Sequence, residues 1–234
     1  MTGWQTPEAL VEAGFRRSSV VMANEFHSGW RRCVRTREIG RRLLPVAHDC
    51  GVRHLAMEAL PTHGEFVAAA NRERSLPPWP GYLEQPEMRA LIEDALALGW
   101  TLIAYETTDT GSSRRDDGSI DWESVRAREE DQARNLVAAL PPTPLLVWCG
   151  NSHLDKAPSG DWVPMGYVFW ELSGLEPFSL DQSVTIVDTR GLAEELRGEL
   201  EPFGGTAGKL IEDLPEFAER PVDALVFSLE NELV

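Results

Sequence analysis

The chain has 234 residues, enough for one substantial core in a single domain, and its 42% hydrophobic content is ordinary for a globular protein. Its formal net charge of −16 and pI near 4.7 repel nucleic acid and anionic membranes, which sets both aside as partners, and the same charge gives solubility. Cys33, Cys50 and Cys149 are an odd number without metal-ligand spacing and fit a reducing cytoplasm. The N-terminus lacks the pattern of a signal peptide, and no apolar run approaches the ~20 residues that span a bilayer.

Taken in order, Thr6-Pro7-Glu8 reads as a helix start, with Thr6 as cap and Pro7 in the first turn; the helix is expected to end at Gly14. Val20-Val21-Met22-Ala23 is a short unbroken apolar run, the pattern of a strand buried on both faces, and it ends in Asn24-Glu25-Phe26-His27. Arg31 to Cys50 carries Ile39, Leu43, Leu44 and Ala47 at helical spacing, with Arg31, Arg32, Arg35, Arg37, Arg41 and Arg42 on its other face. In so acidic a chain this cluster is read either as a solvated face paired with carboxylates, or as a source of one arginine, Arg35 or Arg37, aimed at an anionic group.

A second strand, Val52 to Met57, follows Gly51 and ends at Glu58; the strand–helix–strand unit predicts parallel pairing. A helix is expected near Gly64 to Arg74. Ser75 to Tyr82, with three prolines, is too stiff for helix or central strand and reads as a wall of the site or as a self-packed connection. Glu87 to Leu98 forms another helix. Trp100 to Tyr105 forms a strand ending at Glu106, and Thr107 to Ser119 a polar loop near the site. Asp121 is expected to cap a helix from Trp122 to Leu140. Leu145 to Cys149 is a strand leading into Gly150-Asn151-Ser152-His153, where the glycine suits a tight turn. Then come a helix from Pro164 to Ser173 with Gly174 as its cap, two short strands at Pro177–Leu180 and Val184–Val187, a helix near Leu192–Leu200 and a last strand over Asp223–Ser228.

Together these predict one α/β domain over residues 1–234, with a mainly parallel sheet and helices on both faces. Four apolar strands end in polar groups, and parallel strands would bring all those ends to one edge, where open α/β sheets bind ligands. Glu25, His27, Glu58 and His153 are therefore the candidate site. Glu25 and His27 are two apart and share a face of an extended segment. Glu106 and His63 are further candidates, whereas His48 and His54 read as structural. A Gly-x-Ser-x-Gly elbow, a Gly-x-Gly-x-x-Gly after the first strand and a P-loop in Phe203–Leu210 are all missing.

Asn24-Glu25-Phe26-His27, the acid Glu58 after the second strand, the helical run Arg128-Glu129-Glu130-Asp131-Gln132-Ala133-Arg134-Asn135, Gly150-Asn151-Ser152-His153 and Pro164-Met165-Gly166-Tyr167 occur in the order seen in one superfamily. Over roughly residues 18–182 the chain resembles the erythromycin esterase, ChaN and TIKI (TraB) group, with Asn24 where that group usually has glycine. The resemblance implies three activities on one scaffold. Erythromycin esterases hydrolyse a macrolactone with histidine and glutamate acting on a water, TIKI members are metal-dependent peptidases, and ChaN members bind haem iron. It also places Arg128 at the group's helix arginine.

The leading expectation is a hydrolase of a small-molecule ester, lactone or amide. One histidine removes a proton from water, a glutamate sets its tautomer, and Arg128 or a first-helix arginine stabilises the oxyanion. A haem- or metal-binding protein is the alternative. Glu25, His27, Glu58 and His153 would suffice for a divalent ion with an open position. Nearby guanidinium groups would repel a dication, however, so a metal-free site is favoured.

Overall fold

In the computed structural model, residues 3–26, 30–62, 64–79, 81–107, 113–187 and 192–230 are described. His27 and His63 lie outside them, as do residues 108–112 of the polar loop. The elements in chain order are α1 (Pro7–Arg17), β1 (Val20–Glu25), α2 (Trp30–Asp49), β2 (His54–Met57), α3 (Phe66–Glu73), α4 (Pro86–Ala97), β3 (Thr101–Ala104), α5 (Trp122–Ala138), β4 (Leu145–Gly150), α6 (Met165–Ser173), β5 (Phe178–Val187), α7 (Leu192–Leu200), β6 (Thr206–Leu210) and β7 (Ala224–Glu230). Among the described residues the seven strands form one open sheet in the order β3-β2-β4-β1-β5-β7-β6, parallel throughout except for the antiparallel edge strand β6.

The apolar runs are explained by cover on both faces. Val21 and Ala23 of β1 pack with Leu10, Leu43 and Leu91 from the side of α1, α2, α3 and α4; Val20 and Met22 pack with Ala133, Met165 and Phe169 from the side of α5 and α6. A strand covered twice has no solvent face on which to place alternating polar residues.

β1 and β2 are parallel, as the unit they form with α2 predicts, but they are not neighbours, because β4 lies between them. This insertion assembles the site. The register pairs Glu25 with Gly150 and Met57 with Trp148, so Glu25, Gly150 and Glu58 reach the same edge at nearly the same height. Pairing Met57 with Ala104 brings the end of β3, two residues before Glu106, to the same level.

Several local expectations change. α1 does not stop at Gly14 but continues to Arg17; Gly14 is a close approach, where a Cβ would lie 2.6 Å from the Phe178 ring. The two short strands after α6 are one, β5, whose register with β7 shifts between Asp181 and Val184. The glycine-rich segment read only as a failed P-loop contains β6, where a Cβ on Gly208 would come within 2.4 Å of the Leu225 carbonyl oxygen. Asp121 makes no backbone cap for α5 and accepts instead from the Ser124 hydroxyl at 3.0 Å.

Candidate active site

A cleft of about 270 Å³ opens at the carboxyl edge of the sheet, lined by Glu25, Glu58, Glu106, Tyr82, Trp148 and Gly150 among others. Each of its three carboxylates comes from a different strand end, and each is held by named donors.

Glu25 ends β1 on the α2 side. Its Oε2 accepts from Arg37 Nε at 2.9 Å, and both residues are almost fully buried, at 2% and 0% exposure. The Arg37 guanidinium lies 4.7 Å from the centre of the Tyr82 ring and donates to Gln85 Oε1. The first-helix arginine at the site is thus Arg37. Arg35 lies with Arg41 and Arg42 along a separate groove, where Arg41 pairs with Asp94 and Arg42 with Glu8 on the surface. Tyr82 makes the stiff segment a wall of the cleft at its end.

Glu58 follows β2. Its Oε1 accepts from Arg128 Nη2 at 2.6 Å and lies 3.6 Å from His153 Nε2; its Oε2 accepts the Gly150 backbone N–H at 2.8 Å. Glu106 follows β3 and takes Arg128 Nε at 3.2 Å, Arg128 Nη2 and Gln132 Nε2 at 3.0 Å. Arg128 on α5 therefore clamps two strand ends together; burial works against its charge, but the hydrogen bonds and charges of Glu106 and Glu58 outweigh it and keep the guanidinium firmly protonated.

His153 sits in the tight 3₁₀ turn Asn151–Leu154 that follows β4. Its Nδ1 lies 2.7 Å from Glu129 Oε1 and 2.9 Å from Oε2, and Glu129 Oε2 also accepts the Met165 N–H at 2.7 Å. Glu129 is 1% exposed. Burial pulls the His153 imidazole toward its neutral form, but the charges of Glu58 and Glu129 outweigh it and raise the pKa to about 9. His153 is accordingly an imidazolium at neutral pH, with both ring nitrogens directed at carboxylates. Helix α6 can approach this turn because residue 166 is glycine; a Cβ there would come within 2.8 Å of the Leu154 carbonyl.

The turn works differently from its sequence reading. Gly150 is extended, with φ −87°, and offers its N–H to Glu58; the left-handed residue is Asn151, with φ 33°. Asn24 needs no left-handed backbone, since it lies within β1. Its side-chain amide donates to the Asn151 carbonyl at 2.6 Å and to Asp181 Oδ1 at 2.8 Å, and its Oδ1 accepts the Gln182 N–H at 2.8 Å. Asn24 thus ties the end of β1 to the His153 turn and to β5, which a glycine cannot do.

Glu129 and Asp181 are site residues that strand-end reading passes over. For Glu129 a signal exists: it shares the buried stripe of α5 with Gln132, Ala133 and Leu136, and an acid on such a stripe needs a partner. Asp181 has no such signal, because it depends on which strand lies beside β1.

Asp155, two residues beyond His153, is raised to a pKa of about 7 by burial and then by the charge of Asp181, with Arg220 and His153 opposing. Its Oδ1 is enclosed and has no hydrogen-bond partner among the described residues. A carboxyl raised from 3.8 to about 7 costs the folded state stability as pH rises across that window. The raised His153 contributes stability that is full below 6.5 and lost as pH rises through about 9. Both favour the fold in mild acid. Asp155→Asn should therefore be roughly 1–2 kcal/mol more stable than the wild type at pH 8, after allowance for solvent screening, with the difference gone by about pH 4. Melting curves across that range measure it, and an equal effect at both ends would show that Asp155 does not titrate as described.

No family model matches the sequence, and no match was found among curated proteins. Solved structures share its fold. ChaN of Campylobacter jejuni, in a structure described as showing cofacial haem binding, superposes with a TM-score of 0.56 at 8% identity over 94% of this chain and 91% of that one. RRSP, a MARTX toxin effector domain from Vibrio vulnificus, superposes with a TM-score of 0.53 at 13% identity over 76% of this chain. A further bacterial protein toxin gives 0.53 at 14% identity over the same share. The chain spans 36% of the length of these two toxin structures. At such identities the likeness shows the fold alone.

The expectation of a haem- or metal-binding protein as the alternative raises the question of whether these side chains suit either. Among the described residues no three His, Cys, Asp or Glu side chains are grouped to hold a metal ion. The donors nearest to such a grouping are engaged: Glu25 by Arg37, Glu58 by Arg128 and the Gly150 N–H, and His153 by Glu129. A dication would have to displace a guanidinium, so the described residues do not fit one.

Histidines outside the site are bound to their surroundings. His48 Nδ1 accepts from Trp100 Nε1 at 2.9 Å, and His54 Nδ1 lies 3.2 Å from Thr143 Oγ1. All three cysteines are free, and no helix among the described residues is long and apolar enough to cross a membrane.

Proposed function

We propose that this protein is a hydrolase of an ester, lactone or amide bond in a small molecule, with Glu25, His27, Glu58, His153 and Arg128 as its working groups. The observation that carries the reading is His153, held as an imidazolium between buried Glu129 and the cleft carboxylate Glu58. Two carboxylates around one imidazole fix its orientation and keep its proton.

That charge changes the expected role. A histidine already protonated at neutral pH is not the base that activates water; it is the acid. As the tetrahedral intermediate collapses, Nε2 gives its proton to the leaving oxygen or nitrogen. His27, two residues from Glu25, is assigned as the base that takes a proton from the attacking water. Arg128 Nη1, which makes no hydrogen bond to the described residues, is assigned to the oxyanion. With net charge −16, the substrate is assigned to small molecules rather than to nucleic acid or a membrane surface.

A second reading, haem binding of the ChaN type, draws support from the fold likeness. It is the weaker one, because iron ligation by His153 would break its contact with Glu129 or face it with Glu58.

The test is a panel of esters, lactones and amides offered to purified protein before and after dialysis against a strong chelator. Turnover that survives dialysis is expected. Turnover lost on chelation and restored by manganese, cobalt or zinc would move the protein to metal-dependent chemistry, and no turnover together with a Soret band on haem addition would favour the binder.

A further inference from the structure

On one side His153 meets the carboxylates of Glu58 and Glu129; its ring also meets an indole. The Trp162 ring centre lies 5.6 Å from that of His153 at an interplanar angle of 58°, and Trp162 in turn packs edge-to-face on Trp122, 6.5 Å away at 67°. The two tryptophans come from different elements: Trp122 opens α5, the helix that carries Arg128 and Glu129, and Trp162 precedes α6. Both are only half-buried.

Trp162 is held in place by its backbone. Ser159 and Trp162 exchange N–H and carbonyl in a tight hairpin, at 2.9 and 3.1 Å, and Gly160 supplies the positive φ of 59° that such a turn needs. Residues 157–161 project into solvent while Trp162 folds back onto His153. Its Nε1–H is enclosed and has no acceptor among the described residues, so the hairpin and ring contacts, not a tethering hydrogen bond, set its position.

Half-exposed indoles beside a charged imidazole, on a surface otherwise dominated by acids, are costly to leave in water and are surfaces on which rings pack. We propose that Trp122 and Trp162 form the binding wall for an apolar, ring-bearing part of the substrate. The substrate is then amphipathic, with its polar scissile group toward Glu58 and Arg128 and its ring on the indoles. The placement of that scissile group rests on the hydrolase reading; the affinity of the wall for a ring does not.

The test uses 2-naphthol, which has no bond to hydrolyse, titrated into the full chain. Binding is followed by the indole N–H resonances and by saturation transfer to the ligand, with propan-2-ol as the ringless comparison. The expected result is that Trp122 and Trp162 resonances move on titration while that of Trp4, packed on Phe227 and Lys209, does not. Trp162→Ala and Trp122→Ala should each weaken binding by about tenfold, and propan-2-ol should produce no saturable shift. Trp162→Leu, which keeps apolar bulk without the ring, repeats the comparison should the alanine variant fold poorly. Equal affinity in these variants, equal movement of Trp4, or no saturable binding of 2-naphthol would overturn the proposal. None of these outcomes depends on whether any ester is cleaved.

Discussion

His153→Asn should lower kcat/KM on a cleaved substrate by about a thousandfold or more while destabilising the fold less than His153→Ala does. The asparagine amide can still donate to Glu129 in place of Nδ1, but it has no proton to give a leaving group. His153→Ala is a different experiment. It leaves Glu129, 1% exposed, with the Met165 N–H and no cation, and uncovering a buried charge costs about 3–5 kcal/mol. A pocket histidine ordinarily contributes little to the fold, but this one is the counter-ion of a buried acid. Kinetics and melting on both variants check the pair. An asparagine variant retaining more than about a tenth of the activity would remove His153 from the chemistry.

Arg37→Ala should destabilise the fold by about 3–5 kcal/mol, a fall in Tm of roughly 6–20 °C for a domain of this size. Arg37 is fully buried with Glu25, so truncating it takes the guanidinium away from a carboxylate that is 2% exposed. Removing both charges together, as Glu25→Gln with Arg37→Met, should recover much of that loss while abolishing activity. A single truncation costing less than about 1 kcal/mol, measured by denaturant unfolding, would mean that the pair is not buried as described.

The architecture was legible because both layers of cover leave their mark on the strands: Val20 to Ala23 and Leu145 to Cys149 have no polar alternation because neither face meets water. Strand ends then pointed to Glu25, Glu58, Glu106 and the turn carrying His153. What could not be read was which side chains meet. Spacing left Arg35 and Arg37 equivalent, and only the packing of α2 against β1 separates them. The bond from Asn24 to Asp181 depends on β5 lying beside β1, and sequence order says nothing of that neighbour. The charge of His153 was not legible for a related reason: one glutamate beside an imidazole sets its tautomer, but Glu129 and Glu58 together keep it protonated. Gly150 was given a turn conformation that belongs to Asn151, since either residue type tolerates a left-handed backbone.

The pH dependence of kcat/KM tests the assignment of His153 as an acid most directly. Its proton is present up to a pKa of about 9, so the alkaline limb should fall only above that pH, about tenfold per unit. With His153 set as the acid, the account predicts activity sustained from neutrality to about pH 9. A profile whose alkaline limb falls near 6.5, or one whose fall near 9 persists in His153→Asn, would contradict it.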